Sequence, residues 1–225
     1  MEKGGYVIDN FLRTAPESLL FGSAVLAILL QNMAFFVLTL AILVFKLINV
    51  VLGKFILEIF PDEPGRYYGE VMGGAAVCEF KYNTVSELKG LQSIMGASSI
   101  PSSTTFIFIA TLFYCMRSVH AFQKEMDTLQ TVNPTFKNIL PTAFVLTILL
   151  IFIYIIWRRR NNCDTPQQLF ITLAAAAAVG PLVSMAFEKI FGKYGINLLN
   201  MPFLEAENIH VGSVASCSAP STPDK

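Results

Sequence analysis

Long apolar runs dominate the chain, and most of them are long enough to cross a membrane as a helix. A spanning helix needs about 20 apolar residues at a rise of about 1.5 Å each. The first run is free of charge over residues 18–45 and continues, with a few charged interruptions, to residue 60. This length accommodates two spans with a tight turn, or one long helix and an interfacial piece. We favour two spans, with a break at residues 31–32 or 46–47.

Three further apolar runs begin or end at residues that mark helix boundaries. The run at residues 104–120 follows Pro101 and two serines with good capping propensity. The run at residues 139–157 stops at three arginines, and the run at residues 166–187 follows Thr165, a natural N-cap, with Pro166 at the first helical position. The pattern predicts an all-α fold, a polytopic transmembrane bundle of four to six helices.

Polar stretches divide the chain around this bundle. We predict a polar N-terminus at residues 1–17, a transmembrane domain at residues 18–191 and a C-terminal tail at residues 192–225, whose Ser- and Pro-rich end is predicted to be disordered. Inside the domain, residues 61–100 are glycine-rich and predict a structured loop, and residues 121–138 form a polar connection. Alanines followed by Gly180 predict a face on which two membrane helices approach closely.

Composition supports the membrane assignment and excludes other classes. Of the 225 residues, 54% are hydrophobic and 14% are charged, whereas a soluble domain carries about 25% charged residues. The formal net charge is zero, which argues against a nucleic-acid partner. The spacing of the four cysteines fits no metal motif, so we predict no metal and no cofactor. Membrane lipids are the expected partners, with other membrane or scaffold proteins as a second class.

Helix order places three segments at one membrane face. The first run ends near residue 60, the next starts at residue 104, and the arginine-rich turn lies between residues 157 and 166. With two early spans, all three points fall on the same side. Lysines and arginines are nearly balanced between the two faces and do not orient the protein.

The polar residues at this face form a recognisable series. Lys54 lies near the end of the first run, Pro101-Ser102-Ser103-Thr104 opens the next helix, and Arg158 precedes Asp164-Thr165-Pro166-Gln167-Gln168. In order and spacing, over residues 38–186, the series resembles the motifs of the type 2 phosphatidic acid phosphatase superfamily, most closely its dolichyl-diphosphatase-like branch. The resemblance implies an endomembrane location, such as the endoplasmic reticulum or a membrane derived from it.

The catalytic histidines of that family are replaced. Thr104 stands where the family has the general acid, and Asp164 stands where it has the histidine nucleophile. Pro61 replaces the arginine of the first motif, and Trp157 replaces the serine before Arg158. His120 lies roughly 24 Å along its helix from Thr104, and His210 lies in the tail, so neither reaches the site. We therefore expect no catalytic residue.

The remaining matches predict a remnant phosphate-binding site made of Lys54, Ser102, Ser103, Arg158 and Gln168. Two arrangements of this site are consistent with the sequence. In the first, Arg158 and the helix start hold a lipid headgroup. In the second, Asp164 pairs with Arg158 and closes the pocket. We favour the closed form.

Three functional classes follow. The first is a degenerate lipid phosphatase homologue with a structural, scaffolding or headgroup-binding role, more a pseudo-phosphatase than an enzyme. The second is an active, divergent lipid (di)phosphate phosphatase. The third is an unrelated small transporter or channel component, which is expected to carry ionisable groups at mid-membrane. Residues 106–115, 144–156 and 169–187 carry no Asp, Glu, Lys, Arg or His, which counts against the third class.

Overall fold

The structure, a computed structural model, describes residues 2–59, 101–130 and 138–199. The predicted loop at residues 61–100 and the end of the tail lie outside the described residues. Within these ranges every regular element is a helix: α1 Glu2–Leu30, α2 Met33–Ile59, α3 Ser103–Ala121, α4 Gln123–Gln130, α5 Ile139–Arg160 and α6 Pro166–Gly195. The predicted all-α bundle is confirmed.

Four of these helices have the length and apolar composition needed to cross a membrane. They are Asp9–Leu30 of α1, Met33–Ile56 of α2, and the whole of α5 and α6. Helix α3 joins them as a fifth if it is taken together with nearly all of α4, which continues it after a bend of 52°. By length and composition of its helices, the chain has the form of a multi-pass membrane protein.

The first apolar run is broken at residues 31–32, so it forms two helices. Gln31 has a φ of 48°, a left-handed conformation that ends α1. The side chain of Asn32 then accepts a 2.8 Å hydrogen bond from the Ala34 N–H and so caps α2. Thr39 donates to Ser23 across the two helices at 3.0 Å. Of the two alternatives for this run, the structure has the two spans.

Helices α3 and α6 form the centre of the bundle and run parallel to each other. Near their starts the Ser102 N–H donates to Thr172 Oγ1 at 3.1 Å, and near their ends the hydroxyls of Ser118 and Ser184 lie 3.2 Å apart. Between these points the backbones approach so closely that a Cβ on Gly180 would meet the Ala110 carbonyl oxygen at 2.6 Å. The predicted small-residue contact is therefore present in α6.

The other helices run antiparallel to this central pair or flank it. The Phe45 ring of α2 contacts the Tyr114 ring of α3 with centroids 6.3 Å apart, and the Phe108 ring of α3 lies 4.3 Å from the Tyr154 ring of α5. At the end of α5, Trp157 Nε1 donates to Asp9 of α1 at 2.9 Å. The end of α5 and the starts of α3 and α6 thus meet, and we call this region, around Ser102, Trp157 and Asp164, the site end.

Two helical segments differ from the sequence expectation. The polar connection contains α4, which buries Met126 (2% exposed) and follows directly after the buried Phe122 (1% exposed). Helix α6 continues beyond residue 187 to Gly195, with a kink at Gly192, whose φ is 69°. Lys193 then reaches Glu125 of α4 at 2.6 Å, an ion pair that ties the last turn of α6 to α4.

The outward surface of the bundle is apolar. On α5 alone Phe144, Val145 and Phe152 are between 53% and 63% exposed, and few side chains of that helix are buried. A water-soluble helix shows a polar stripe opposite its core, whereas a helix that is apolar all round suits a lipid environment.

Candidate functional site

A buried ion pair between Arg158 and Asp164 lies at the centre of the site end. The guanidinium Nε donates to Oδ2 of the carboxylate at 2.7 Å, and Nη2 donates to Oδ1 at 2.9 Å. The two residues are 3% and 5% exposed. Two parallel, charge-assisted bonds of this kind are the strongest geometry available to an arginine and a carboxylate.

The turn after α5 brings these two residues together although six positions separate them. Asn162 adopts a left-handed φ of 50°, and the N–H groups of Asn162 and Cys163 return to the carbonyls of Arg159 and Arg158 at 3.1 and 2.9 Å. This is a Schellman motif, with asparagine in the position that glycine usually takes. The motif folds the chain back over the last turn of α5 and places Asp164 against the Arg158 side chain.

Two hydroxyl groups from the start of α3 complete a closed ring of hydrogen bonds. Arg158 Nη2 donates to Ser102 Oγ at 3.2 Å, and Ser102 Oγ donates to Thr105 Oγ1 at 3.2 Å. Thr105 Oγ1 in turn donates to Asp164 Oδ2 at 2.8 Å. Because Ser102 is 3% exposed and Thr105 is 0% exposed, the whole ring is withdrawn from solvent.

Helix α6 supports this ring from its first two turns. The Thr165 hydroxyl accepts from the Gln168 N–H at 3.2 Å, and Gln168 Oε1 accepts from the Thr165 N–H at 2.9 Å. This capping box confirms the predicted N-cap and fixes the helix start directly after Asp164. Two turns into the helix, Thr172 holds the backbone N–H of Ser102.

The predicted site residues are only partly assembled into one cluster. Ser102, Arg158 and Asp164 are in direct contact, and the neighbouring Thr104 lies beside Tyr154, one turn before Arg158. Gln168 takes part in the capping box, and the half-buried Ser103 is the first residue of α3.

Lys54 lies at the same end of the bundle but outside this cluster. The rings of Phe45 on α2 and Tyr114 on α3 lie side by side. Lys54 is nine residues from Phe45 towards the site end, and Thr105 is nine residues from Tyr114 in the same direction. Both are therefore about 13.5 Å from this contact, at a similar level of the bundle. The Lys54 side chain is exposed and makes no hydrogen bond or ion pair with a described residue. The predicted convergence at one end is present, whereas a direct contact between Lys54 and the Arg158–Asp164 pair is not.

Three residues of the cluster were not predicted from the sequence: Thr105, Tyr154 and Thr172. Each lies at a helical interval from a polar residue that was predicted, and this spacing could have identified it. Thr105 follows Ser102 by three residues, Tyr154 precedes Arg158 by four, and Thr172 follows Thr165 by seven. Polar residues at these intervals share one face of an otherwise apolar helix, and in a membrane helix such a face turns towards the protein interior.

The two charges of the cluster, on Arg158 and Asp164, neutralise each other. One positive and one negative group contact each other with two hydroxyls arranged around them, and the N–H of Ser102 at the start of α3 is occupied by Thr172.

Comparison of the chain with protein-family models, curated proteins and solved structures finds no match. The fold and the site define a class, an α-helical protein with helices long and apolar enough to span a membrane and a buried ion pair at one end of its bundle.

Proposed function

We propose that the protein is a catalytically silent relative of the lipid phosphatases and has a structural or scaffolding role in its membrane. The observation that carries this proposal is the bidentate, buried Arg158–Asp164 pair. In this proposal, the carboxylate occupies the place that a substrate phosphate takes beside the arginine in active relatives.

Electrostatics supports the closed form of the site over the form that binds a headgroup. A phosphate that approached Arg158 would have to displace Asp164, and the displaced carboxylate would remain close by and repel it. Separating a buried pair is costly because each charge loses its partner without regaining water. Ser102 and Thr105 are already bonded within the ring, so the site offers an anion little compensation.

The pair also has a structural use that needs no ligand. It joins the end of α5, the turn that follows it and the start of α3, and Thr172 adds α6 to the same junction. A scaffolding role requires such a rigid bundle and no chemical step.

Lipid binding and stability together test the proposal. We expect Arg158→Ala and Asp164→Asn to lower the thermal unfolding midpoint in detergent and to leave the binding of phosphatidic acid as it is in the parent protein. Arg160→Ala, which changes an exposed arginine two residues away, is the matched control and should change neither quantity. If Asp164→Asn strengthened lipid binding and Arg158→Ala weakened it, the site would be an open headgroup pocket and the proposal would be wrong.

Activity provides a second test. We expect the purified protein to release no phosphate from phosphatidic acid or from a polyprenyl diphosphate. The reason is that Thr104 cannot replace a general acid near neutral pH, and the Asp164 carboxylate is engaged by Arg158. Turnover without added metal that disappears in Asp164→Ala would instead identify a divergent phosphatase.

A further inference from the structure

A cavity of about 630 Å³ lies at the end of the bundle opposite the Arg158–Asp164 pair. It is lined by the last turns of α3, the first turns of α5 and Pro181 in the middle of α6. We call it the interfacial groove. Its volume falls within the range of about 300–1,000 Å³ that is usual for ligand pockets.

The walls of the groove are apolar and open towards the lipid-facing surface. Met116, Leu140, Phe144 and Val145 line it, and the last two are 53% and 63% exposed on the outer face of α5. A hydrocarbon chain can therefore enter sideways from the bilayer and lie along these side chains without leaving an apolar environment.

The end of the groove carries positive or protonatable groups. Arg117 and His120, in the last turns of α3, are part of the lining. Arg117 contacts Glu188 by one bond of 3.4 Å, with the two side chains 28% and 26% exposed. A guanidinium has five N–H donors, so this single long contact leaves most of them available. The exposed His120 side chain has no polar partner among the described residues.

The groove extends from the rim of the bundle inwards. His120 lies one residue before the end of α3, and Leu140 lies in the first turn of α5, so both belong to the rim of the bundle. Val145 is five residues beyond Leu140, about 7.5 Å deeper along α5. Arg117 lies three residues, about 4.5 Å, deeper than His120, so the charged groups reach from the rim into the groove beside the apolar side chains of α5. This arrangement suits an anionic headgroup next to the start of an acyl chain.

We propose that the interfacial groove binds one membrane lipid with an anionic phosphate headgroup. The phosphate lies against Arg117 and His120, and an acyl chain lies against Met116, Leu140, Phe144 and Val145. Glu188 competes with the phosphate for Arg117, so its carboxylate sets the affinity. This site does not depend on the proposed function, because it lies at the other end of the bundle from Arg158 and shares no residue with the ion pair.

A titration of fluorescent phosphatidic acid against the purified chain in detergent tests this site, with phosphatidylcholine of the same acyl chains as the comparison. We expect phosphatidic acid to be preferred. Arg117→Gln should weaken its binding by roughly tenfold, the value of one charge-assisted hydrogen bond. Glu188→Gln should strengthen it, because the guanidinium loses its competitor. Arg160→Gln, an exposed arginine at the site end, should leave the affinity unchanged.

A bulky side chain that fills the groove tests the contribution of the acyl chain to binding separately from that of the headgroup. Val145→Trp should reduce the binding of both lipids, whereas Leu146→Trp, at a residue 52% exposed beside it and outside the groove lining, should not. Thermal unfolding of each variant controls for folding, and Glu188→Gln and Val145→Trp keep the test valid if Arg117→Gln does not fold. Equal binding of the two lipids, weakening by Glu188→Gln or full competition by inorganic phosphate alone would overturn the proposal.

Discussion

At the scale of single residues, the site contains two pairs of groups whose members lie close together in the sequence. Arg158 and Asp164 are separated by one Schellman turn, and Ser102 and Thr105 by one helical turn. The bonds between these two pairs, together with the bond from the Ser102 N–H to Thr172, join distant parts of the sequence. The site is therefore preorganised locally, and packing of α3 against α5 completes it.

The Thr172 hydroxyl gives a prediction at this scale. Thr172→Val keeps the shape of the side chain but removes the acceptor for the buried N–H of Ser102. An unsatisfied buried donor costs about 1–3 kcal/mol, so the free energy of unfolding should fall by that amount. Thermal unfolding in detergent measures it, and Thr142→Val, at an exposed threonine of α5, is the control. A Thr172→Val protein as stable as the parent would show that the bond contributes nothing.

Part of this site was predictable from the sequence, and the rest depends on contacts between helices that are distant in the sequence. The pairing of Arg158 with Asp164 was one of two predicted arrangements, because opposite charges six residues apart in a turn can meet. The roles of Thr105 and Thr172 depend on which helices are neighbours, and α3 and α6 are joined by contacts some 70 residues apart in sequence. The position of Lys54 depends on the rotation of α2, which apolar periodicity does not fix when the whole helix is apolar.

At the scale of helices, a local capping signal gave the most accurate boundary. Thr165 marks the start of α6 as predicted, because the capping box is formed by neighbouring residues. Helix α5 runs three residues past the predicted end at residue 157 and closes with the Schellman turn at Asn162, which was not predicted. Helices α1 and α6 extend beyond their apolar runs, because polar residues continue a helix once its core is anchored. Helix α4 was missed because its stabilising contacts are tertiary, through the buried side chains of Phe122 and Met126.

Gly180 gives the prediction at the scale of helices. A Cβ at this position would lie 2.6 Å from the Ala110 carbonyl oxygen and 2.8 Å from Phe113 Cβ, so Gly180→Ala forces α3 and α6 apart. Such overpacking costs about 1–3 kcal/mol. Gly22→Ala is the matched control, because a Cβ there meets nothing within 4 Å, and alanine favours a helix by up to about 1 kcal/mol over glycine. If the two variants unfolded at the same temperature, the close approach of α3 and α6 would be refuted.

At the scale of the whole molecule, the bundle has two chemically different ends. The site end holds a closed, buried ion pair, and the opposite end holds the interfacial groove with a partly exposed Arg117. The apolar surface between them fits the hydrocarbon layer of a bilayer. In our proposals, the apolar surface anchors the protein in the membrane, the ion pair stabilises one end, and the groove at the other end binds a lipid.

If the bundle spans a membrane, its two ends should be accessible from opposite sides. Arg160 at the end of α5 and Gln123 at the start of α4 are both exposed and lie at opposite ends of the bundle. In sealed vesicles, a membrane-impermeant maleimide should label only one of the variants Arg160→Cys and Gln123→Cys above the parent level, and detergent should expose the other. Labelling of both before detergent is added would contradict a bundle that spans the membrane.

In our proposal, the Arg158–Asp164 pair is a structural contact that has taken the place of a ligand. A double-mutant cycle of Arg158→Leu and Asp164→Leu, followed by unfolding in detergent, tests it most directly. Each single change should cost about 3–5 kcal/mol by leaving one buried charge unpaired, a fall in unfolding midpoint on the order of 10 °C. The double variant, which leaves neither charge, should regain most of that stability. If both single variants unfolded like the parent, or if the double variant lost the sum of the two, the pair would not be the structural contact that this account requires.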